Sequence, residues 1–426
     1  MILASSFIDL NKMHENVAGV KEGRFPLDEA VADIAWSQLG DRHLCDACLG
    51  RLAGHLGHGM TNKERGAQIR MHLGFTEAAQ CWLCDGLTTE VDKFAGLVLR
   101  AMEGWEWRSF LIGSRIAPDV AAREEELWTA VGSVHAEPLK TEINREVGKR
   151  IESLTGRPAE FEHPDIVALI DTAFDVIKLQ VTSLFIYGRY RKLVRGIPQT
   201  KWPCKRCQGK GCEHCGGKGK MYESSVEEVI ANVIMEQSGG SGHALHGLGR
   251  EDVDARMLGR GRPFIVEILN PRMRSIDLVK VEVAVNSSGS VDVSDLRFTD
   301  RNEVVALKDR TCDKTYRILV RLSTPTDEEK VKKGIASLLD SPVAQRTPIR
   351  VSHRRADKVR ERRIKGIEIA MLEGPLLELV IRAEAGSYIK ELVHGDQGRT
   401  EPSLAGTLGI PCEVLELDVL EIHDGE

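Results

Sequence analysis

Eight of the ten cysteines in this chain fall in four C-x-x-C pairs: Cys45/Cys48, Cys81/Cys84, Cys204/Cys207 and Cys212/Cys215. Only Cys312 and Cys412 stand alone. No other feature restricts the fold as much, because thiols at this spacing turn back on a shared point. Two such pairs supply four thiolates, the donor set of tetrahedral zinc. The chain opens Met1-Ile-Leu-Ala-Ser-Ser-Phe-Ile, with no basic segment and no long apolar run, which predicts no secretory signal. A reducing, cytoplasmic setting is therefore expected, with metal ligation instead of a disulfide framework. Each set would be complete in protein ligands, so one or two structural Zn2+ ions are expected, not a catalytic metal.

The spacing differs between the two halves. Cys45/Cys48 and Cys81/Cys84 enclose 32 residues, which resembles a zinc ribbon carrying an inserted helical segment. Cys204 to Cys215, followed by Gly-Gly-Lys-Gly, is similar to adjacent glycine-rich zinc repeats of the J-domain co-chaperone family. Glycine lets a short loop turn tightly about a metal. How the four pairs combine is left open by the spacing.

At about 150 residues per domain, 426 residues make two or three domains. Hydrophobic residues make up 42% and charged residues 29%, which excludes a wholly disordered chain. No apolar run approaches the ~18 residues of a membrane span. The formal charge of −6 argues against a uniformly basic binder but leaves room for local basic surfaces.

Residues 26–40, Asn62 to Leu73, Lys93 to Met102 and Leu139 to Leu154 read as helices. Phe110 to Ile116, Asp165 to Ile170 and Val176 to Ile186 read as strands. Residues 189–220 hold ten Lys/Arg and one acid, with Tyr190 and Trp202 among them. Cations interleaved with aromatics suit phosphate neutralisation and base stacking; a solvated linker is the plainer reading. Beyond 222, Ser225 and Glu228 mark a helix start, followed by Val226, Val229, Ile230, Val233 and Ile234 at helical spacing. Strands are expected at Pro263 to Leu269, Val279 to Val285, Lys314 to Leu322, Gly366 to Met371 and Leu376 to Arg382. A helix is expected from Asp327 to Leu339. One mixed sheet with flanking helices fits about 200 residues.

The chemistry concentrates in three stretches. Gly249 to Phe264 sets carboxylates among arginines and glycines ahead of a strand. It is neither a phosphate-binding P-loop nor a dinucleotide fingerprint. Such a loop is either a structural ion-pair cluster or a carboxylate kept ionised in an RNA-binding cleft. Arg250-Glu-Asp252 resembles the R-x-D signature of pseudouridine synthases. The longer string resembles the catalytic loop of the archaeal and eukaryotic tenth family, which modifies the TΨC loop of tRNA. Asp313-Lys-Thr-Tyr316 resembles the K-x-Y motif and Gly386 to Thr400 the third motif, in the family's order. The resemblance covers roughly 222–410. It implies Asp252 as nucleophile, with Asp254 as the rival two residues on. It implies Lys390 as the partner of Asp252, Tyr316 and Tyr388 as contacts of the target base, Arg250 in the substrate site and Leu392 packed beneath. The region up to Arg195 is similar to a THUMP RNA-binding domain.

The expected architecture is α+β and multidomain. A zinc-binding domain spans 1–87, a THUMP-like domain 88–195 and a basic cysteine-rich knuckle 196–221. A catalytic domain of pseudouridine-synthase type occupies 222–426. The expected activity is conversion of uridine to pseudouridine at tRNA positions 54 and 55, after base flipping. No organic cofactor, membrane or obligatory protein partner is implied. Thr347 to Lys365 carries eight cations against Asp357 and Glu361. It reads as a phosphate-gripping surface, with Arg354 and Arg355 as RNA contacts. The competing reading is a zinc-containing tRNA-binding protein or chaperone without catalysis, which would not need Asp252, Tyr316, Tyr388 and Lys390 together. A THUMP-containing methyltransferase or sulfur-transfer enzyme would require a nucleotide loop that the sequence lacks.

Overall fold

The computed structural model describes residues 27–57, 59–76 and 79–425, without the side chains of His353 and Arg354. The N-terminal segment read above for a secretory signal, and the side chain of Arg354, lie outside them. The chain divides into two units, residues 1–182 and 183–426.

In the first unit the helices are α1 (Leu27–Asp33), α2 (Asp46–Leu52), α3 (Asn62–Leu73), α4 (Val91–Ala101), α5 (Pro118–Val131) and α6 (Leu139–Thr155). The stretch read as one helix over 26–40 is α1 followed by a short 3-10 turn, Trp36–Leu39. Strands β1 (Phe110–Arg115), β2 (Ile166–Asp171) and β3 (Val176–Val181) make a sheet, parallel between β1 and β2 and antiparallel between β2 and β3. Phe94, Ala95 and Val98 of α4 are buried, as are Leu139, Ile143, Val147 and Ile151 of α6, an i, i+4 stripe. Helices α2 and α3 cross at two glycines. A Cβ on Gly50 would stand 1.8 Å from the Asn62 carbonyl oxygen, and one on Gly66 would stand 1.7 Å from that of Asp46. No larger residue permits that approach.

The second unit is built on β4 (Leu184–Lys192), α7 (Val226–Ser238), β5 (Gly242–Gly247), β6 (Arg256–Leu269), α8 (Leu278–Asn286), β7 (Val291–Thr299), α9 (Arg301–Asp309), β8 (Asp313–Leu322) and α10 (Glu328–Leu339). It continues with β9 (Val343–Arg346), β10 (Val359–Arg362), β11 (Ile364–Glu373), β12 (Leu376–Ala383), α11 (Ile389–His394), β13 (Thr400–Glu401), α12 (Leu404–Leu408) and β14 (Cys412–His423). The main sheet runs β11-β12-β8-β14-β6-β4-β7, with β5 added against β6. Its pairs are antiparallel except β14 with β6. A small sheet, β10-β9-β13, lies apart. The mixed α+β class stands as expected.

Three readings are corrected. Val279 to Val285 is not a strand but most of α8. Its alternation serves either period: Val281 and Val285 are buried one helical turn apart, while Val279 and Val283 are exposed. Asp277 caps the helix, accepting from Lys280 N at 3.1 Å. Val176 to Ile186 is not one strand, for β3 stops at Val181 and Thr182 turns back to Asp165 O at 3.0 Å. The following strand, β4, was placed with residues 88–195. It sits instead between β6 and β7 in the second unit's sheet, so the division comes at 182, not 195. An alternating strand carries no information about which sheet it joins. Helices α5, α9, α11 and α12 and the central strand β14 were not read from sequence.

Candidate active site

The loop from Leu248 to Ala255 joins β5 to β6 and presents Asp252. A buried polar network fixes it. Glu251 is 6% exposed and accepts from the Tyr190 hydroxyl at 2.8 Å and from Arg262 Nε at 2.9 Å. Arg262 Nη1 also donates to Leu248 O at 2.6 Å. Gln199 Nε2 donates to Gly249 O at 2.9 Å. Lys192 Nζ, wholly buried, donates to the carbonyl oxygens of Ile197 and Asp252, both at 3.0 Å. Burial pushes the Lys192 amine down, and the Glu251 charge offsets part of that. The Tyr190 hydroxyl is pushed well up, by burial and then by Glu251. Tyr190, read above as a base-stacking candidate, is therefore a core residue, 0% exposed, and cannot meet a base.

The Asp252 carboxylate, half-buried, faces two cations. Arg350 Nη1 donates to Oδ1 at 3.1 Å, and Lys390 Nζ lies 3.6 Å from Oδ2. Arg350, on the turn Ile349–Arg354, is itself held by Glu391, whose Oε1 accepts from Nε at 2.8 Å. Lys390 and Glu391 come from the first turn of α11. Lys390 makes its hydrogen bond with Asp254, at 2.7 Å, not with Asp252. Burial opposes ionisation of Asp254, but Lys390 outweighs it and holds the carboxyl below the usual range.

A cavity of about 260 Å³ opens here. Arg250, Asp252, Tyr316, Tyr388, Lys390 and Arg355 all line it; Asp254 does not. Tyr316 projects from β8, its hydroxyl pushed up to about 12 by burial, with Arg262 opposing and Asp252 adding to the shift. Tyr388 is fixed by its backbone: its N–H donates to Gln345 Oε1 at 2.8 Å and its carbonyl accepts from Gln345 Nε2 at 2.9 Å. Its hydroxyl accepts from Arg355 Nη1 at 3.0 Å. The Arg250 guanidinium carbon is 5.9 Å from the Trp202 ring centroid. Leu392, on α11, is buried, 1% exposed, and does not line the cavity. The reading missed the pairing of Arg350 with Asp252, the Glu391 brace and the Glu251 network. Apart from Arg262, 11 residues from Glu251, the partners cited lie 41 to 98 residues apart, and spacing carries no signal at that range.

The thiols gather into two tetrads, one in each unit: Cys45, Cys48, Cys81, Cys84 and Cys204, Cys207, Cys212, Cys215. Within them Cys45 Sγ and Cys84 Sγ are 3.8 Å apart, and Cys207 and Cys215 3.9 Å. Zinc–sulfur bonds of ~2.3 Å in a tetrahedron give sulfur–sulfur edges of ~3.8 Å. Backbone N–H groups of Gly211 and Gly219 donate to Cys207 Sγ and Cys215 Sγ, each at 3.2 Å. Such donors suit thiolates. Both donor sets fit a tetrahedral metal ion. Among the described residues, no helix is long and apolar enough to cross a membrane.

Comparison with known proteins places the chain in a family. The family model described as "Pus10, C-terminal" matches residues 185–423, and "Pus10 THUMP domain, archaeal" matches residues 94–171. Three relatives bear the name tRNA pseudouridine synthase Pus10. The protein of Methanothrix thermoacetophila is 41% identical over 89% of this chain and 91% of its own. That of Halorubrum lacusprofundi is 41% identical, over 92% and 96%. That of Methanothermobacter marburgensis is 44% identical, over 93% and 98%. Among solved structures, a Cbf5-Nop10-Gar1 complex is 18% identical with a TM-score of 0.31, covering 47% of this chain and 46% of the other. A pseudouridylate synthase is 15% identical with a TM-score of 0.21, covering 57% and 66%. On the sequence matches, the chain belongs to the Pus10 family and is a pseudouridine synthase, an enzyme of the isomerase class.

Proposed function

We propose that the substrate is tRNA, that the targets are uridines 54 and 55 of its TΨC loop, and that Asp252 is the nucleophile. One observation carries the reading: three stretches far apart in sequence bring Asp252, Tyr316, Tyr388 and Lys390 around a single cavity. The reaction breaks the bond from N1 to C1′, turns the base and rejoins it through C5. It exchanges bonds within one nucleotide, so it calls for no redox partner or donated group. Asp252 attacks the target nucleotide, with Arg350 and Lys390 countering its charge. Tyr316 and Tyr388 offer aromatic faces to the flipped base, and base stacking is worth about 1–3 kcal/mol. Flipping costs a few kcal/mol, so these contacts offset much of it. Arg355, beside Tyr388, suits a flanking phosphate. The two thiolate tetrads hold structural Zn2+, which fits a reducing, cytoplasmic setting. A purely tRNA-binding protein would have no use for this carboxylate between two cations.

The test incubates wild type and Asp252→Ala with an unmodified tRNA transcript and maps pseudouridine base by base. Product at 54 and 55 with wild type, and none with the variant, is expected. Product at other positions would displace the TΨC assignment. Full activity in Asp252→Ala would displace Asp252 in favour of Asp254. Tight binding without modification would favour the non-catalytic reading.

A further inference from the structure

Strand β8 alternates, so Lys314 shares a face with Tyr316, and both line the cavity. Its cross-strand neighbours on β12 and β14 are Ala383 and Ile422, both buried and apolar. The catalytic loop closes over it: a Cβ on Gly249 would stand 4.0 Å from Lys314 Cε. Its amine donates to Cys312 O at 3.3 Å. Among the described residues no carboxylate lies within ion-pair distance of it; its neighbour Asp313 is engaged by Lys365 and Arg382.

We propose that Lys314 is a catalytic residue whose free amine takes the proton leaving uracil C5 once the new bond from C1′ to C5 has formed. The proposal rests on the pseudouridine synthase reading of this cavity. At that stage C5 is tetrahedral and bears both hydrogen and ribose. The lone pair of Lys314 Nζ takes the hydrogen as a proton. The electron pair of the C5–H bond re-forms the C5–C6 double bond, and the charge released reaches N1. N1 takes a proton, the ammonium returns one to water, and no proton is gained or lost overall.

Other groups on the cavity wall are less suited. The guanidinium groups of Arg262, Arg350 and Arg355 do not give up a proton in proteins. Lys390 is engaged by Asp254 and Asp252. The Tyr316 hydroxyl, at about 12, is protonated near neutrality. Glu251 is held by Tyr190 and Arg262. Burial, then the charge of Arg262, pushes the Lys314 amine down to about 8, with Cys312 and Asp313 opposing. A general base works best with a pKa near the operating pH.

The experiment is single-turnover modification of transcripts carrying uridine or 5-deuterouridine, by wild type, Lys314→Met and Lys314→Arg, across pH. Wild type is expected to speed up as pH rises through about 8, where the amine loses its proton. Lys314→Met should fall by about 10²–10⁴-fold, lose that pH rise and show a primary deuterium isotope effect. Its tRNA affinity should stay within a few-fold of wild type. Lys314→Arg keeps the charge and should not rescue the rate. Should Lys314→Met fail to fold, judged by its melting curve, Lys314→Arg carries the comparison. A wild-type rate in either folded variant would overturn the proposal. So would a loss confined to tRNA affinity. Absence of product with wild type would instead overturn the reading on which the proposal rests.

Discussion

At the scale of single residues, the position of the Asp252 carboxylate depends on the buried polar network that fixes its loop. Asp252 is offered by a loop whose adjacent Glu251 is locked between Tyr190, Lys192 and Arg262. Arg262 is 1% exposed and is the hydrogen-bonded cation of that set. Breaking a buried pair from one side costs about 3–5 kcal/mol, because the remaining charge loses its partner without regaining water. Arg262→Met is therefore expected to lower the unfolding free energy by about that amount, read as an earlier urea midpoint, and to slow modification by disordering the loop. An unchanged midpoint would show that Lys192 and Tyr190 satisfy Glu251 alone. The residues of the motifs were legible in the sequence because their chemistry is unusual there: an acid among arginines, a tyrosine beside lysine in a strand. The brace was not legible. Glu251 stands one residue from Asp252, but its partners come from β4 and β6, and only folding brings those side chains to it.

At the scale of elements, local signals were strongest where they were chemical. The C-x-x-C spacing marked the metal-binding thiols, and the fold gathers the four pairs into two tetrads. Elemental analysis of freshly purified protein is expected to find two zinc ions per chain. Cys45→Ser and Cys204→Ser should each remove one, and a chelator should lower the melting temperature, since metal binding contributes to folding. Protein purified without zinc would refute the assignment. Periodicity was weaker evidence. Leu278 to Asn286 alternates like a strand yet forms α8, because valine costs only tenths of a kcal/mol in a helix and an aspartate cap with one buried valine stripe outweighs that. Strand β4 shows the converse: its character was legible, its place was not. It supplies Tyr190 and Lys192 to the second unit, and nothing in its alternation distinguishes that sheet from the one formed by β1, β2 and β3.

At the scale of the whole molecule, a chain of net charge −6 acts on a polyanion, so its cations have to be gathered locally. Arg355 is placed at the cavity mouth beside Tyr388, within a segment dense in arginine. Reversing Arg354 and Arg355 to glutamate is expected to weaken tRNA binding at low salt. It should also reduce the slope of log affinity against log salt by about one for each lost phosphate contact. Superimposable salt curves would remove this segment from the interface. The amino-acid sequence by itself determined the family, the four C-x-x-C pairs and the mixed α+β class. Each of those resides in residue type and short-range spacing, which survive in an unfolded chain. Only the tertiary structure decided that β4 belongs with the catalytic sheet and that Arg350 joins Lys390 at Asp252. It also decided that Tyr190 is a buried brace and that Lys314 looks into the cavity. Those facts depend on which surfaces exclude water together, and that is settled by packing among segments up to a hundred or more residues apart.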